Sequence, residues 1–377
     1  MTGTAVASAS GLVRLATESD NAALVDLAAA CPMEGDLSLR IDRAPDFFAL
    51  NRLEGDRWKV AVVDGPAGNP VACVATAERR AWMHGRPVTM VYAGDLKVHP
   101  DFRDTRTADS LERFVTETAR VAAGDSTPVL LTVLAGNIAM ERRAAGPRGL
   151  PKLHRFATLD SYAIPLLWRR AVGDAPDVRV ECASSRDLDE MADLWGAIAP
   201  ARQFTPVLDA DGLARWIDSA PGLEIDDYLL ARDRRGRLLG FVGMWDQRAL
   251  KTLRVLRYSP MLSMLRGVIT VVAPFVGAAA PPDVGAPLHY ASAVHLCVPP
   301  DRADVLRALI LAAYDRLRGS DRIFLNVGLD AREALRSALR GLLATPTAIH
   351  AYATMPRGAW DGPPLDDRPL HFETALV

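Results

Sequence analysis

The segment VHPDFRDTRTADSL, Val98 to Leu111, runs from the end of an apolar strand through a proline stop into the start of a helix. It places Arg103, Asp104, Thr105, Arg106, Thr107 and Ala108 in and after the turn. Unpaired amides at a helix N-terminus carry partial positive charge, so a turn of this kind suits an anion. Arginines would add charged donors, while the absence of glycine restricts how closely the backbone can approach a ligand. The bland reading is a solvated turn that caps the helix. Just upstream, the strand RPVTMVYAGDLKV carries the titratable groups Tyr92 and Asp95, and His84 and His99, of a type suited to general-base work at neutral pH, lie near the same strand. A strand tyrosine also serves simply as core with its hydroxyl satisfied. Downstream, Asn137 opens the helix of LAGNIAMERRAAG, where capping competes with contact to a ligand.

The elements that must position these residues occur in two rounds. LVRLATESDNAALVDLAAAC and DVRVECASSRDLDEMADLWGAI each read as a strand, a polar capping stretch and a helix. Strand-like segments follow in both: RWKVAVVD, NPVACVATAE and RPVTMVYAGDLKV in the first, DYLLARD, RLLGFVGMWD and PLHYASAVHLCV in the second. Each round reaches a proline-marked turn, at Val98 and Val298, then a helix, then PVLLTVLAGN or RIFLNVGLD. The terminal RPLHFETALV reads as a closing strand, with Glu373 a candidate to face a cleft. Self-similarity on this scale predicts a duplicated domain, 1–168 and 178–377, with a linker over 169–177 where Gly, Pro and Asp cluster. The mixed order predicts an α/β (α+β) fold with a mostly antiparallel sheet, flanked by helices, in each half.

With this order the turn resembles the central motif of the Gcn5-related N-acetyltransferase superfamily: V-x-P, then Q/R-x-x-G-x-G/A, then a helix. Val98, Pro100, Arg103, Ala108 and Leu111 match, and Arg106 stands at the first glycine. The resemblance implies two tandem domains whose fourth and fifth strands splay around the pantetheine arm of acetyl-CoA. The pyrophosphate would lie on the amides of Arg103 to Ala108, a backbone amide at Leu96 to Val98 would polarise the thioester, and Asn137 would add a contact. Tyr92 occupies the position at which some members carry a base glutamate, and Asp95 is the nearest carboxylate on the strand. Ala144 stands where the family's tyrosine acid is found, so that role passes to another group or to water. The turn at Val298 to Leu309 is shorter and lacks glycine, which implies a degenerate second half.

The expected activity is therefore acetyl transfer from acetyl-CoA to a primary amine, on a small molecule or a peptide, by direct attack. The rival readings are a non-catalytic acyl-CoA sensor and a tRNA-dependent aminoacyl transferase of doubled fold. A net charge of −2 gives no case for a nucleic-acid partner. Cys31, Cys73, Cys182 and Cys297 show neither disulfide nor zinc spacing, which fits the cytoplasm and no metal. The apolar run Met261 to Ala280 is interrupted by Arg266 and Pro274. It therefore reads as a buried or interface-forming insertion, the latter consistent with a homodimer, and not as a membrane span.

Overall fold

The computed structural model describes residues 12–103, 107–144, 153–167, 177–357, 360, 362 and 364–376. The linker expected over 169–177 falls almost wholly outside them, as do Asp104, Thr105 and Arg106.

The first half contains β1 (Val13–Leu15), α1 (Asn21–Ala29), β2 (Leu37–Asp42), α2 (Asn51–Glu54), β3 (Arg57–Asp64), β4 (Pro70–Met83), β5 (Arg86–Val98), α3 (Thr107–Ala123), β6 (Val129–Leu134), α4 (Ile138–Ala144) and β7 (His154–Pro165). The second contains β8 (Arg179–Cys182), α5 (Leu188–Ile198), β9 (Thr205–Pro206), α6 (Ala210–Ser219), β10 (Tyr228–Arg232), β11 (Leu238–Trp245), β12 (Thr252–Tyr258), α7 (Pro260–Val276), β13 (Pro287–Leu288), β14 (Tyr290–Cys297), α8 (Ala303–Leu317), β15 (Phe324–Asp330) and β16 (Thr345–Thr354). The strands β3, β5, β6 and β15 coincide closely with the alternating and apolar runs of the sequence, as expected where side-chain period and burial agree.

The two rounds share a single 13-stranded sheet in the order β1-β3-β4-β5-β6-β16-β7-β15-β14-β11-β10-β8, with β9 beside β4. The centre is interlocked. β16, the last strand of the chain, inserts between β6 and β7, while β7, the last strand of the first half, lies between β16 and β15. Each half therefore completes its ladder with a strand from the other. A separate three-stranded sheet, β13-β12-β2, also joins the halves.

Helix α3 lays Leu111, Val115 and Ala119, one face at i, i+4, i+8, on the sheet beside Val63, Val74 and Val91. Burying a leucine such as Leu111 contributes roughly 2 kcal/mol. In the second half α8 is buried along most of its length against β10, β11, β14 and β15.

One sequence expectation narrows, since burial of the apolar insertion is excluded while an interface is not, and another changes. The apolar insertion forms α7, but it is not buried: Met264 is 72% and Phe275 87% exposed, with Met261, Leu265, Val268, Val271 and Val272 exposed beside them. It packs only lightly on β12, so its apolar stripe faces solvent. No helix among the described residues is long and apolar enough to cross a membrane. RPLHFETALV is not a ladder strand either. Its backbone is satisfied piecemeal, Leu370 N–H by Asp330 Oδ2 at 2.8 Å and His371 N–H by the Gln203 carbonyl at 3.0 Å, and it ends in a short 3-10 turn at Thr374–Leu376.

The interlocked strands predict that the halves do not fold separately. Residues 12–167 expressed alone would lose β16 from between β6 and β7 and expose two ladder edges. This fragment is expected to aggregate or to show no cooperative unfolding by circular dichroism, whereas the full chain unfolds cooperatively.

Candidate active site

The parallel pairing of β5 with β6 covers only Val91–Ala93 against Val129–Leu131, although the strands run on to Val98 and Leu134. Where pairing stops, β5 also breaks register with β4: Ala75 faces Gly94 and Cys73 faces Lys97. The break is a bulge at Asp95, whose φ of 50° lies in the left-handed region that a non-glycine residue adopts at a cost of roughly 1–2 kcal/mol.

Hydrogen bonds offset that cost. Lys97 Nζ donates to Asp95 Oδ1 at 2.7 Å, and Arg43 Nη1 and Asn51 Nδ2 each donate to Oδ2 at 3.1 Å. Arg43 is anchored in turn by donating from Nη2 to the Phe47 carbonyl. Burial alone would raise the Asp95 carboxyl, but Lys97 and Arg43 hold it well below the usual carboxylate range.

Beyond the bulge the diverging strands enclose a cavity of about 230 Å³. Val115, Val129, Leu131, Val133, Leu134 and Met140 make it largely apolar, and Glu54, Asp95, Lys97 and Lys251 supply charge at its wall. Glu54 is 3% exposed. Burial, with the Asp95 charge nearby, pushes its carboxyl up to about 8. Lys251 donates from Nζ to the Ala375 carbonyl at 2.8 Å, and burial aided by Arg43 pushes its ammonium down to about 7.

Tyr92, Asp95, Leu96 and Asn137 all line this cavity. Tyr92 is buried, with its hydroxyl 3.1 Å from Thr132 Oγ1 and its ring against Phe372. Burial, with the Glu54 charge, holds that hydroxyl well above its ordinary pKa, so it is a poor source of base. Asp95 is ionised, but its oxygens are committed to three donors, which makes it a structural anion. Asn137 accepts the Met140 N–H through Oδ1 at 3.2 Å and so caps α4.

Val98, Arg103, Thr107 and Ala108 lie at the strand exit and the start of α3. Arg103 is exposed and donates from Nε to the Val98 carbonyl at 3.3 Å, while Thr107 is buried. Arg143 lines the cavity but is engaged by Asp109 and Glu112 of α3. Ala144 packs beside Val133 and Tyr352.

The second half repeats the bulge and not the cavity. His295 has φ 48°, at a register break between β11 and β14. The space corresponding to the first-half cavity shrinks to about 20 Å³ because Leu370 to Thr374 occupy it with Arg202 and Glu333. Arg202 and Glu333 form a buried ion pair, and the His295 N–H donates to Glu373 Oε1 at 2.9 Å. Glu373 therefore faces this filled cleft, bonded also to His371 Nε2 at 3.0 Å.

Glu54, Arg43 and Lys251 had no sequence signal. Glu54 ends the one-turn helix α2, Arg43 and Lys251 come from short connections, and none carries motif spacing. The one hint was compositional, since Lys251 is among only four lysines in an arginine-rich chain.

No family model and no curated protein matches the sequence. Solved structures do. A GCN5-related N-acetyltransferase from Sphaerobacter thermophilus is 16% identical with a TM-score of 0.58, over 93% of this chain and 97% of that one. The N-myristoyltransferase of Saccharomyces cerevisiae, solved with bound myristoyl-CoA and inhibitors, is 12% identical with a TM-score of 0.62, over 99% of this chain and 88% of that one. With its splayed strands, the bulge and these matches along nearly its whole length, the chain has the fold of the GCN5-related N-acetyltransferase superfamily.

Proposed function

We propose that the protein is an acyltransferase that moves an acyl group, acetyl in the simplest case, from its coenzyme A thioester to a primary amine in the first-half cleft. The observation that carries this is the open apolar cavity between β5 and β6, set against its filled counterpart in the second half. The width and lining of the gap suit a pantetheine arm lying as a surrogate strand. Its fold neighbours are acyltransferases, one of them solved with an acyl-CoA, which supports the same class of donor.

In this reading the amides of β5 near Leu96 polarise the thioester carbonyl where the ladder is open. Glu54 acts as the base. An ammonium acceptor, with a pKa of ~10.4 when lysine-like, gives one proton to Glu54. Its nitrogen then attacks the carbonyl carbon, the C–S bond breaks, and the remaining excess proton on nitrogen leaves with the thiolate as free thiol. Asp95 keeps the bulge in place without itself taking a proton. Lys251, close enough to the carboxylates to feel their charge, stabilises ionised Glu54 while it is itself protonated.

Free-thiol release from acetyl-CoA in the presence of an amine panel tests the assignment. Turnover on at least one amine is expected. It should disappear in Leu134→Trp, whose indole would fill the cleft. Turnover unaffected by that change would place the reaction elsewhere.

Glu54→Gln is expected to lower kcat by ~10²–10⁴ with little change in KM for the thioester, and kcat of the parent should climb with pH toward about 8. The same residue sets a stability signature. A carboxyl raised in the folded state contributes fully below its unfolded pKa of ~4.3, and the contribution fades as pH rises through the folded value. Urea midpoints from pH 5 to 9 should therefore fall less steeply for Glu54→Gln than for the parent. An identical pH profile would show that Glu54 titrates normally.

A further inference from the structure

We infer that the cavity at the seam of the two halves is the acceptor site, and that it takes an amine carrying an anionic group such as a carboxylate. The chemistry of this inference rests on the acyl-transfer reading, but the binding does not. The cavity has a volume of about 470 Å³ and lies among α2, β4, α6 and the C-terminal segment. Trp216 of α6 helps close it, donating from Nε1 to the Leu53 carbonyl of α2 at 3.1 Å.

Four guanidinium groups line this space: Arg52, which is paired with Asp46, and three others, Arg79 and Arg80 of β4 and Arg215 of α6. Among the described residues none of the three has a hydrogen-bond acceptor or a carboxylate in an ion pair for its side chain. Arg79 is the informative one. Its Nε is buried without a partner, and the group lies 5.7 Å from the Tyr92 ring centroid. The Glu54 and Glu373 charges act on this partly buried guanidinium without hydrogen-bonding to it, and a ligand anion would supply the acceptor that its donors lack.

The acids on the same walls are mostly committed. Asp209 Oδ1 accepts the Gly212 N–H at 2.7 Å as the cap of α6. Glu373 is held by His371 and the His295 amide. Asp56 is exposed at the rim. Glu54 accepts only the long 3.4 Å bond from Asn51 Nδ2 among the described residues, and it also lines the donor cavity, so the two spaces meet at the residue assigned as base. An acceptor with its nitrogen at Glu54 and its anionic group at the arginines would lie across that junction, with each charge facing an opposite one. Of the three, Arg79 and Arg215 serve to position the acceptor.

The test is a calorimetric titration of the full-length protein, without thioester, by 6-aminohexanoate and by hexylamine, which match in length and differ in the carboxylate. The carboxylate ligand is expected to bind at least about tenfold more tightly, the worth of one or two charge-assisted hydrogen bonds. Arg79→Ala and Arg215→Ala should each remove most of that preference while leaving acetyl-CoA binding unchanged. Arg215 is exposed on α6, so its variant remains informative if Arg79→Ala fails to fold. Equal affinity for the two ligands, or a preference that survives Arg215→Ala and a folded Arg79→Ala, overturns the anion subsite. A carboxylate preference in a protein that binds no acetyl-CoA would leave the subsite standing and remove the acyl-transfer reading alone.

Discussion

The architecture of the first-half cleft depends on one carboxylate. Asp95 holds a left-handed backbone at the point where β5 leaves β6, and its carboxylate is met by Lys97 of the same strand and by Arg43 and Asn51 from the segment between β2 and β3. The strain of the bulge and the cost of burying these charges are both answered by the same charge-assisted bonds. Without the bulge, β5 would continue its ladder along β6 and the cavity would close. The fold therefore spends buried polar interactions to keep two adjacent strands apart.

The same backbone device occurs in both halves of the chain, with different surroundings. At His295 the bulge persists, but burial pushes the imidazole down to about 4, and its ring is hydrogen-bonded to the Tyr228 hydroxyl at 2.7 Å. The adjoining gap is packed by the C-terminal segment, with the Glu373 carboxylate on the amide of the bulge residue. That segment then continues past Lys251 and Gln247, both of which donate to the Ala375 carbonyl, and Leu376 reaches the walls of both cavities. The second half thus contributes part of the wall of the first-half site.

Much of the fold was legible in the sequence because local period and tertiary burial agree. The limits of β3 and β5, the proline exits at Val98 and Val298, and the helix after each one follow from alternation, breakers and caps. The interlocking of β7 and β16 was not legible, since the choice of partner strand is a long-range matter that no local pattern records. RPLHFETALV alternates like a strand, yet its amides are met by Asp330 and Gln203, which only the folded chain brings near. Of the cavity lining, Tyr92, Asp95, Leu96 and Asn137 are named in the sequence from the strand before the turn and the helix after β6. Glu54 and Lys251 are not, because what distinguishes them is burial among other charges.

The central claim is that only the first-half cleft can accept an acyl-CoA, and the stoichiometry of acetyl-CoA binding by calorimetry tests it most directly. One molecule per chain is expected. Two per chain would show that the second-half gap opens, and saturating ligand without binding would show that the splayed strands hold no donor; either result contradicts the account.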